Sequence, residues 1–248
     1  GMTSNRSAVT TTIDDARVAT IAFAPWRINV FGRELIEALT AEFVRLAEDD
    51  DLRLAILIGG IGQAFNMGAD VKEMAAIADA DDAVAFITSL HNLCQSIRDL
   101  PVPVIARIEG HCLGGGLEVA ASSDLRIASE DSMFGMPEGR LGLPSVIEAA
   151  LLPSLIGWGK TRELLYTGDT IDSSGALRIV LVEPSCPSIG WTRSLRAGCS
   201  RSPSNRAHRQ SGSRSGWSRS GKCCRSAKRS RPASTASASH SATTHRRR

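Results

Sequence analysis

The stretch GHCLGGGLEVA, Gly110–Ala120, sets three consecutive glycines directly before an apolar helical pattern whose first turn carries Glu118. A glycine has no Cβ, so the backbone can approach a ligand closely there. The first amides of a helix are unpaired donors, and the helix dipole makes that end partly positive. Gly114, Gly115 and Gly116 in such a position read as a place to hold negative charge, either a phosphate or a developing oxyanion. Close packing of the helix on a strand is the purely structural alternative. A P-loop needs Gly-Lys-Ser/Thr, which is missing here. GGIGQAF, Gly59–Phe65, starts like a dinucleotide-binding loop but has Phe65 where the last glycine belongs.

Working outward, VPVIARIEG reads as a strand that delivers the chain to the glycines. Asp81 to Leu100 reads as the helix before it, with Val84, Ile87, Leu90, Cys94 and Ile97 at helical spacing. LRLAILIGG reads as a buried strand, preceded by a helix over Gly32 to Glu48 that puts Leu35, Leu39, Phe43 and Leu46 on one face. SAVTTTID and ARVATIAFA, within residues 7–24, read as two strands joined at Asp14-Asp15. Downstream come a short strand, DLRIAS, and a loop, MFGMPEG, then helices over Ser145 to Ile156 and Lys160 to Tyr166. Strands alternating with helices predict an α/β architecture.

Two further stretches bear on the first. AFNMGADVKEM, Ala64–Met74, turns at Gly68 into a new helix and offers a second exposed amide, at Ala69. MFGMPEGRLGLPS places Glu138 among Phe134, Met136, Leu141 and Leu143. Two backbone donors and two carboxylates are the equipment for making and quenching an enolate. Glu118 near a helix start is expected to stay ionised and serve as a base, and Glu138 among apolar neighbours to stay protonated and serve as an acid. Other residues read more plainly. His111 has no metal-binding partner at useful spacing, and Cys112 reads as a small buried residue. Asp70 suits a helix cap, and Asp124 a structural hydrogen bond or ion pair. Lys72 and Arg27 read as solvated charges before contacts to phosphate.

AFNMGADVKEM, IEGHCLGGGLEVAASSDLRIAS and FGMPEGRLGLPS, in that order, resemble the enoyl-CoA hydratase/isomerase (crotonase) superfamily, and LLPSLIGWGKTRELLYTGDTID extends the likeness to about Glu183. The resemblance implies a spiral of ββα units and an acyl-CoA thioester substrate. By motif position it implies Ala69 and Gly115 amides as the oxyanion hole and Glu118 and Glu138 as the catalytic pair. Gly68, Asp70, Gly114 and Gly116 would border the substrate. It implies hydration of a trans-2-enoyl thioester, with isomerisation or another crotonase-type reaction as the alternative, and no cofactor beyond the CoA of the substrate. Many relatives follow the second glutamate with a Pro-Gly-x-Gly-Gly turn; here GLPSVIEAALLP stands instead, with Pro144-Ser145 before a helix. Glu148 in that stretch reads as no replacement for a catalytic carboxylate.

Charge divides the chain in two. Residues 1–183 hold 14 Lys/Arg against 26 Asp/Glu, whereas residues 184–248 hold 15 Lys/Arg and no Asp or Glu. Beyond Leu195 there is no Leu, Ile, Val, Met, Phe or Tyr, so that segment is expected to stay disordered. Residues 1–183 thus read as an acyl-CoA-binding core and residues 184–248 as an Arg/Ser-rich tail in place of the family's trimerisation helices. The tail has charge for nucleic acid but only Trp191 and Trp217 for stacking, so nucleic acid is not the expected partner. A shifted reading frame near Glu183 explains the missing acid best. WSRSGKCCRSAKRSRPAS, Trp217–Ser234, can be back-translated so that another frame gives a sequence resembling an ordinary amphipathic C-terminus of the family. The family's homotrimer or hexamer is then in question, and an inactive, assembly-deficient relative is the remaining reading. Six cysteines without regular spacing argue against a disulfide framework, and no run is apolar for the roughly 20 residues a membrane span needs. A cytoplasmic protein is expected.

Overall fold

Exposed Thr10 and Thr12 alternate with half-buried Val9, Thr11 and Ile13, a two-residue period that makes β1 (Val9–Ile13) a strand with one wet face. The Asp14 carboxylate accepts from the Ala16 and Val18 amides and turns the chain into antiparallel β2 (Val18–Phe23). The protein is described here by a computed structural model covering residues 9–23, 29–59, 64–142 and 147–183.

Helix α1 (Arg33–Ala47) buries Leu35, Ile36, Leu39, Phe43 and Leu46 on one face, as its spacing predicts. No side chain of its own caps it. Instead Glu73, from α2 (Val71–Ala75), accepts from the Arg33 amide at 2.9 Å. Between these helices lie β3 (Leu54–Ile58) and β4 (Ala64–Asn66). Strand β3 is apolar on both faces because both are covered: Ala55 and Leu57 enter the main core, while Leu54 and Ile56 join Val18 and Ile105 behind the sheet.

Helix α3 (Ala80–Asp99) follows and buries Phe86, Leu90, Leu93, Cys94 and Ile97. Val84, expected on that face, is 62% exposed; the buried stripe is set by Phe86 and Leu93, rotated from the one expected. Then come β5 (Val104–Ile108), β6 (His111–Leu113), α4 (Gly115–Ala121), β7 (Leu125–Ala128) and β8 (Met133–Gly135). Two 3-10 turns, Pro137–Leu141 and Ile147–Leu151, precede α5 (Leu152–Thr167), β9 (Thr170–Asp172) and α6 (Ser173–Arg178). Where two helices are expected from Ser145 onward, the described residues form a 3-10 turn and then α5, whose helical run is interrupted at Gly157 (φ 76°), so the expected break between Ile156 and Lys160 is present.

The strands form two sheets, β1-β2-β3-β5-β7 and β4-β6-β8-β9. Beyond the β1–β2 hairpin, β2, β3, β5 and β7 run parallel, as do β4, β6 and β8, with β9 antiparallel at the edge. The pairs β3/β4, β5/β6 and β7/β8 each leave one strand in either sheet before the chain goes on, so the fold is the expected α/β spiral of repeated ββα turns. Among the described residues no helix is long and apolar enough to cross a membrane. The expectations for Arg27, Leu143, Pro144, Ser145 and the basic tail from residue 184 fall outside the described residues.

The end of the described chain is tied to the sheet by Arg126, which is 3% exposed. Its guanidinium donates to Leu181 O at 2.7 Å, Ser123 O at 2.9 Å and Glu183 Oε1 at 3.3 Å. The Arg126 amide donates to Glu183 Oε2 at 2.6 Å. Removing one member of a buried ion pair leaves the others unpaired. Arg126→Ala should therefore cost about 3 kcal/mol, read as a fall in Tm of roughly 6–12 °C. An unchanged melting curve would show that this tie contributes nothing.

Candidate active site

Helix α4 begins at Gly114, whose φ of +52° suits glycine and whose amide donates to Gly135 O of β8 at 2.9 Å. Gly116, two residues further on, rests directly on β4. A Cβ there would lie 2.7 Å from Asn66 O and 2.8 Å from Asn66 Cβ, so only glycine permits the approach. That approach brings two amides together. Ala69 N lies 3.8 Å from where a Gly115 Cβ would stand, and Gly115 N lies 3.7 Å from the same point on Gly68. No described residue accepts a hydrogen bond from either amide.

Two buried asparagines hold the Gly68–Ala69 loop. Asn66 Oδ1 accepts from Gly68 N at 2.7 Å, and Asn66 Nδ2 donates to Asn29 Oδ1 at 3.4 Å. Asn29 in turn donates to Phe65 O at 2.8 Å, and its carbonyl accepts from Met67 N at 2.7 Å. Phe31 pairs with the loop from the other side, donating to Gly68 O and accepting from Asp70 N. Asp70 caps α2, accepting from the Lys72 amide at 2.8 Å. Asn29 and Asn66 were not foreseen. The available signal was an asparagine inside the apolar run AFN, where a buried amide demands partners.

Glu118 faces inward from α4 and is 1% exposed. Its Oε1 accepts from Ala149 N, in the second 3-10 turn, at 2.9 Å, while its Oε2 is buried with no partner. Glu138 sits on the first 3-10 turn rather than in an open loop, between buried Phe134 and Met136 and the left-handed Gly142. Its Oε1 lies against Gly114 so closely that any Cβ there would collide, and its Oε2 is also buried and unpartnered. The structure thus gathers Gly114, Gly115, Glu118, Glu138, Gly68 and Ala69 at one place. Gly116 and Asp70 border it through packing and helix capping.

Burial and then the neighbouring Glu138 charge push the Glu118 carboxyl up to about 8, against a smaller downward pull from the Ala149 amide. Burial also raises Glu138, partly offset by its own backbone amide. The expectation that Glu118 stays ionised at a helix start is therefore overturned. The dipole effect of an α4 first turn is smaller than the cost of removing a carboxylate from water. Both carboxyls are shifted toward their protonated forms, Glu118 by burial and by the charges of the neighbouring glutamates.

The remaining candidates fall in place. Cys112 is fully buried and burial raises its thiol, as for Cys94, which is pushed up to about 12. His111 and Lys72 are exposed. Asp124 accepts from Val104 N at 2.7 Å. Among the described residues no His, Cys, Asp and Glu cluster could hold a metal ion. What the arrangement offers is a pair of N–H donors beside two buried carboxyls with one open oxygen each. It can stabilise charge on a carbonyl oxygen and move protons next to it.

The family model described as enoyl-CoA hydratase/isomerase matches residues 14–202, a span that runs past Glu183. A cyclohexa-1,5-dienecarbonyl-CoA hydratase of Thauera aromatica is 32% identical over 71% of this chain and 69% of its own length. An enoyl-CoA isomerase/hydratase of Mycosarcoma maydis is 31% identical over 62% of this chain and 57% of its own. The crystal structure of an enoyl-CoA hydratase from Bacillus anthracis superposes with a TM-score of 0.72, covering 78% of this chain and 76% of that one at 29% identity.

Two outcomes follow from this geometry. Gly116→Ala drives a methyl into Asn66 backbone, which cannot rotate away, so it should cost about 1–3 kcal/mol and lower the urea midpoint. An unchanged midpoint would contradict the close approach. Glu118→Gln tests the buried proton through the pH dependence of stability. Below pH 4.5 the carboxyl is protonated in both folded and unfolded chains. Between that value and about 8 the unfolded chain has released its proton and the folded chain has not, so rising pH favours unfolding. Glutamine does not titrate. The variant's Tm should therefore gain on the native protein by roughly 5 °C or more between pH 5 and pH 8, on the order of 2 kcal/mol. A gap that does not change with pH would refute the upward shift.

Proposed function

The chain belongs to the enoyl-CoA hydratase/isomerase family, and from that membership we propose that it adds water across the double bond of a trans-2-enoyl-CoA thioester. The observation that carries this reading is the pair of buried carboxyls, Glu118 and Glu138, each with an unpartnered oxygen. They lie beside the Ala69 and Gly115 amides. In the reaction the thioester carbonyl oxygen accepts from those two amides. Water oxygen bonds to C3, the double-bond electrons move toward the carbonyl, and the oxyanion of the enolate is held by the two N–H groups. Each such donor contributes about 3 kcal/mol to the barrier reduction.

Protons balance across the pair. In this reading the pair works with one proton between its members, since burial raises both carboxyls and the Glu138 charge raises Glu118 further. The ionised member takes the proton that water loses. The protonated member gives its own to C2, and the pair again holds one proton. Without substrate, burial favours Glu118 as its seat. No cofactor enters; the CoA is part of the substrate. The same equipment supports a proton shift between C2 and C4, which is the isomerase reading, and the Mycosarcoma maydis relative carries both activities in its name.

The purified chain should hydrate crotonyl-CoA, followed as loss of the enoyl-thioester absorbance. Glu118→Gln and Glu138→Gln should each lower kcat by about 10²–10⁴. Full activity in Glu138→Gln would overturn its role. Conversion of a 3-enoyl-CoA with no hydration would decide for the isomerase.

A further inference from the structure

Glu148 sits in the second 3-10 turn, one residue before the amide that donates to Glu118, and is 5% exposed. Both its oxygens are occupied. Oε1 meets His91 Nδ1 at 2.5 Å, and Oε2 accepts from the Arg98 guanidinium. His91 and Arg98 stand two turns apart on one face of α3. Arg98 is braced along that helix, donating to Gln95 Oε1 at 2.6 Å, and Gln95 donates to Asp99 at 2.7 Å.

We propose that Glu148 is a positioning residue: clamped to α3 by Arg98 and His91, it fixes the 3-10 turn so that Ala149 N–H holds Glu118 Oε1 and leaves Oε2 open beside Glu138. This rests on the reading of Glu118 as a reacting carboxyl. A five-residue turn has little hydrogen bonding of its own, so something must set its orientation. The clamp is the polar tie between this turn and α3 among the described residues. Stability alone gives little reason for it, because a buried ion pair is often no better than apolar residues of the same shape. Fixed geometry is a different gain. With the turn held, Glu118 has one oxygen tethered and one available. The Glu148 charge also adds to the upward pressure on Glu118, so the clamp acts on its proton as well as on its orientation.

The test uses the full chain and two readouts. One is the titration of the Glu118 side-chain carboxyl by carbon NMR on glutamate-labelled protein, with Glu118→Gln identifying the resonance. The other is kcat and KM on crotonyl-CoA. In Glu148→Gln the Glu118 midpoint should fall by about one pH unit, because a negative neighbour is gone and Arg98 remains. Its kcat should drop at least tenfold with KM within threefold. Arg98→Gln should move the midpoint the other way and also lower kcat. Should Glu148→Gln fail to fold, Arg98→Gln and His91→Asn, altered at partly exposed side chains, decide by the same readouts. Folded variants that leave both midpoint and kcat unchanged overturn the proposal. A native chain that does not hydrate crotonyl-CoA refutes the hydratase reading alone; the shifted midpoints then still support the clamp, and unshifted ones refute it.

Discussion

The contact of Gly116 with Asn66 is the constraint on which the site depends. It is a backbone-to-backbone approach at van der Waals distance between α4 and β4, and it exists because one partner has no side chain. Everything polar is organised around it. Asn66 uses its carbonyl face to receive α4 and its amide group to hold the Gly68 loop and reach Asn29. The Gly115 and Ala69 amides come side by side as a result. The glycines therefore do two jobs that pull in one direction: close packing and an exposed pair of donors. Close packing and the pair of donors at Gly114–Gly116 are thus one feature, since the packing creates the donors.

The two carboxyls are held against their own preference. Water-exposed glutamates would ionise; these are buried, and each keeps one oxygen without a partner. Such an arrangement is destabilising by itself and is carried by the surrounding core, with Phe134, Met136 and Leu117 fully buried nearby in the chain. The tether from Ala149 relieves one oxygen of Glu118 and no more.

How legible this was depended on the range of the interaction. The amphipathic face of α1 and the apolar strand β3 follow from local period, and the sequence reading placed both. The buried face of α3 was placed with an error at Val84, because an apolar residue near a helix start satisfies the period without a partner to cover it. Strands β4, β6, β8 and β9 are three residues each, too short to show alternation, so the second sheet was invisible until the pairing was seen. The positions of Ala69, Gly115, Glu118 and Glu138 were readable from motifs. The state of Glu118 was not, since it depends on burial by segments far away in the chain. Asn29 and the Glu148 clamp were missed for the same reason, although His91 and Arg98 share a helix face that a carboxylate could have been sought for.

The winding of the chain has a consequence for how the molecule comes into being. Each turn of the spiral adds one strand to either sheet, in parallel pairing that requires a long intervening segment to close first. The donor at Ala69 belongs to one turn, Gly115 and Glu118 to the next, and Glu138 to the one after. The pair of donors is set once the second of these turns packs on the first, while Glu138 and the Ala149 tether arrive only later, and any lesion that slows their docking exposes unpaired strand edges meanwhile. Abundance in the cell, more than the chemistry of the finished site, is where mutations in the inter-turn contacts would be felt.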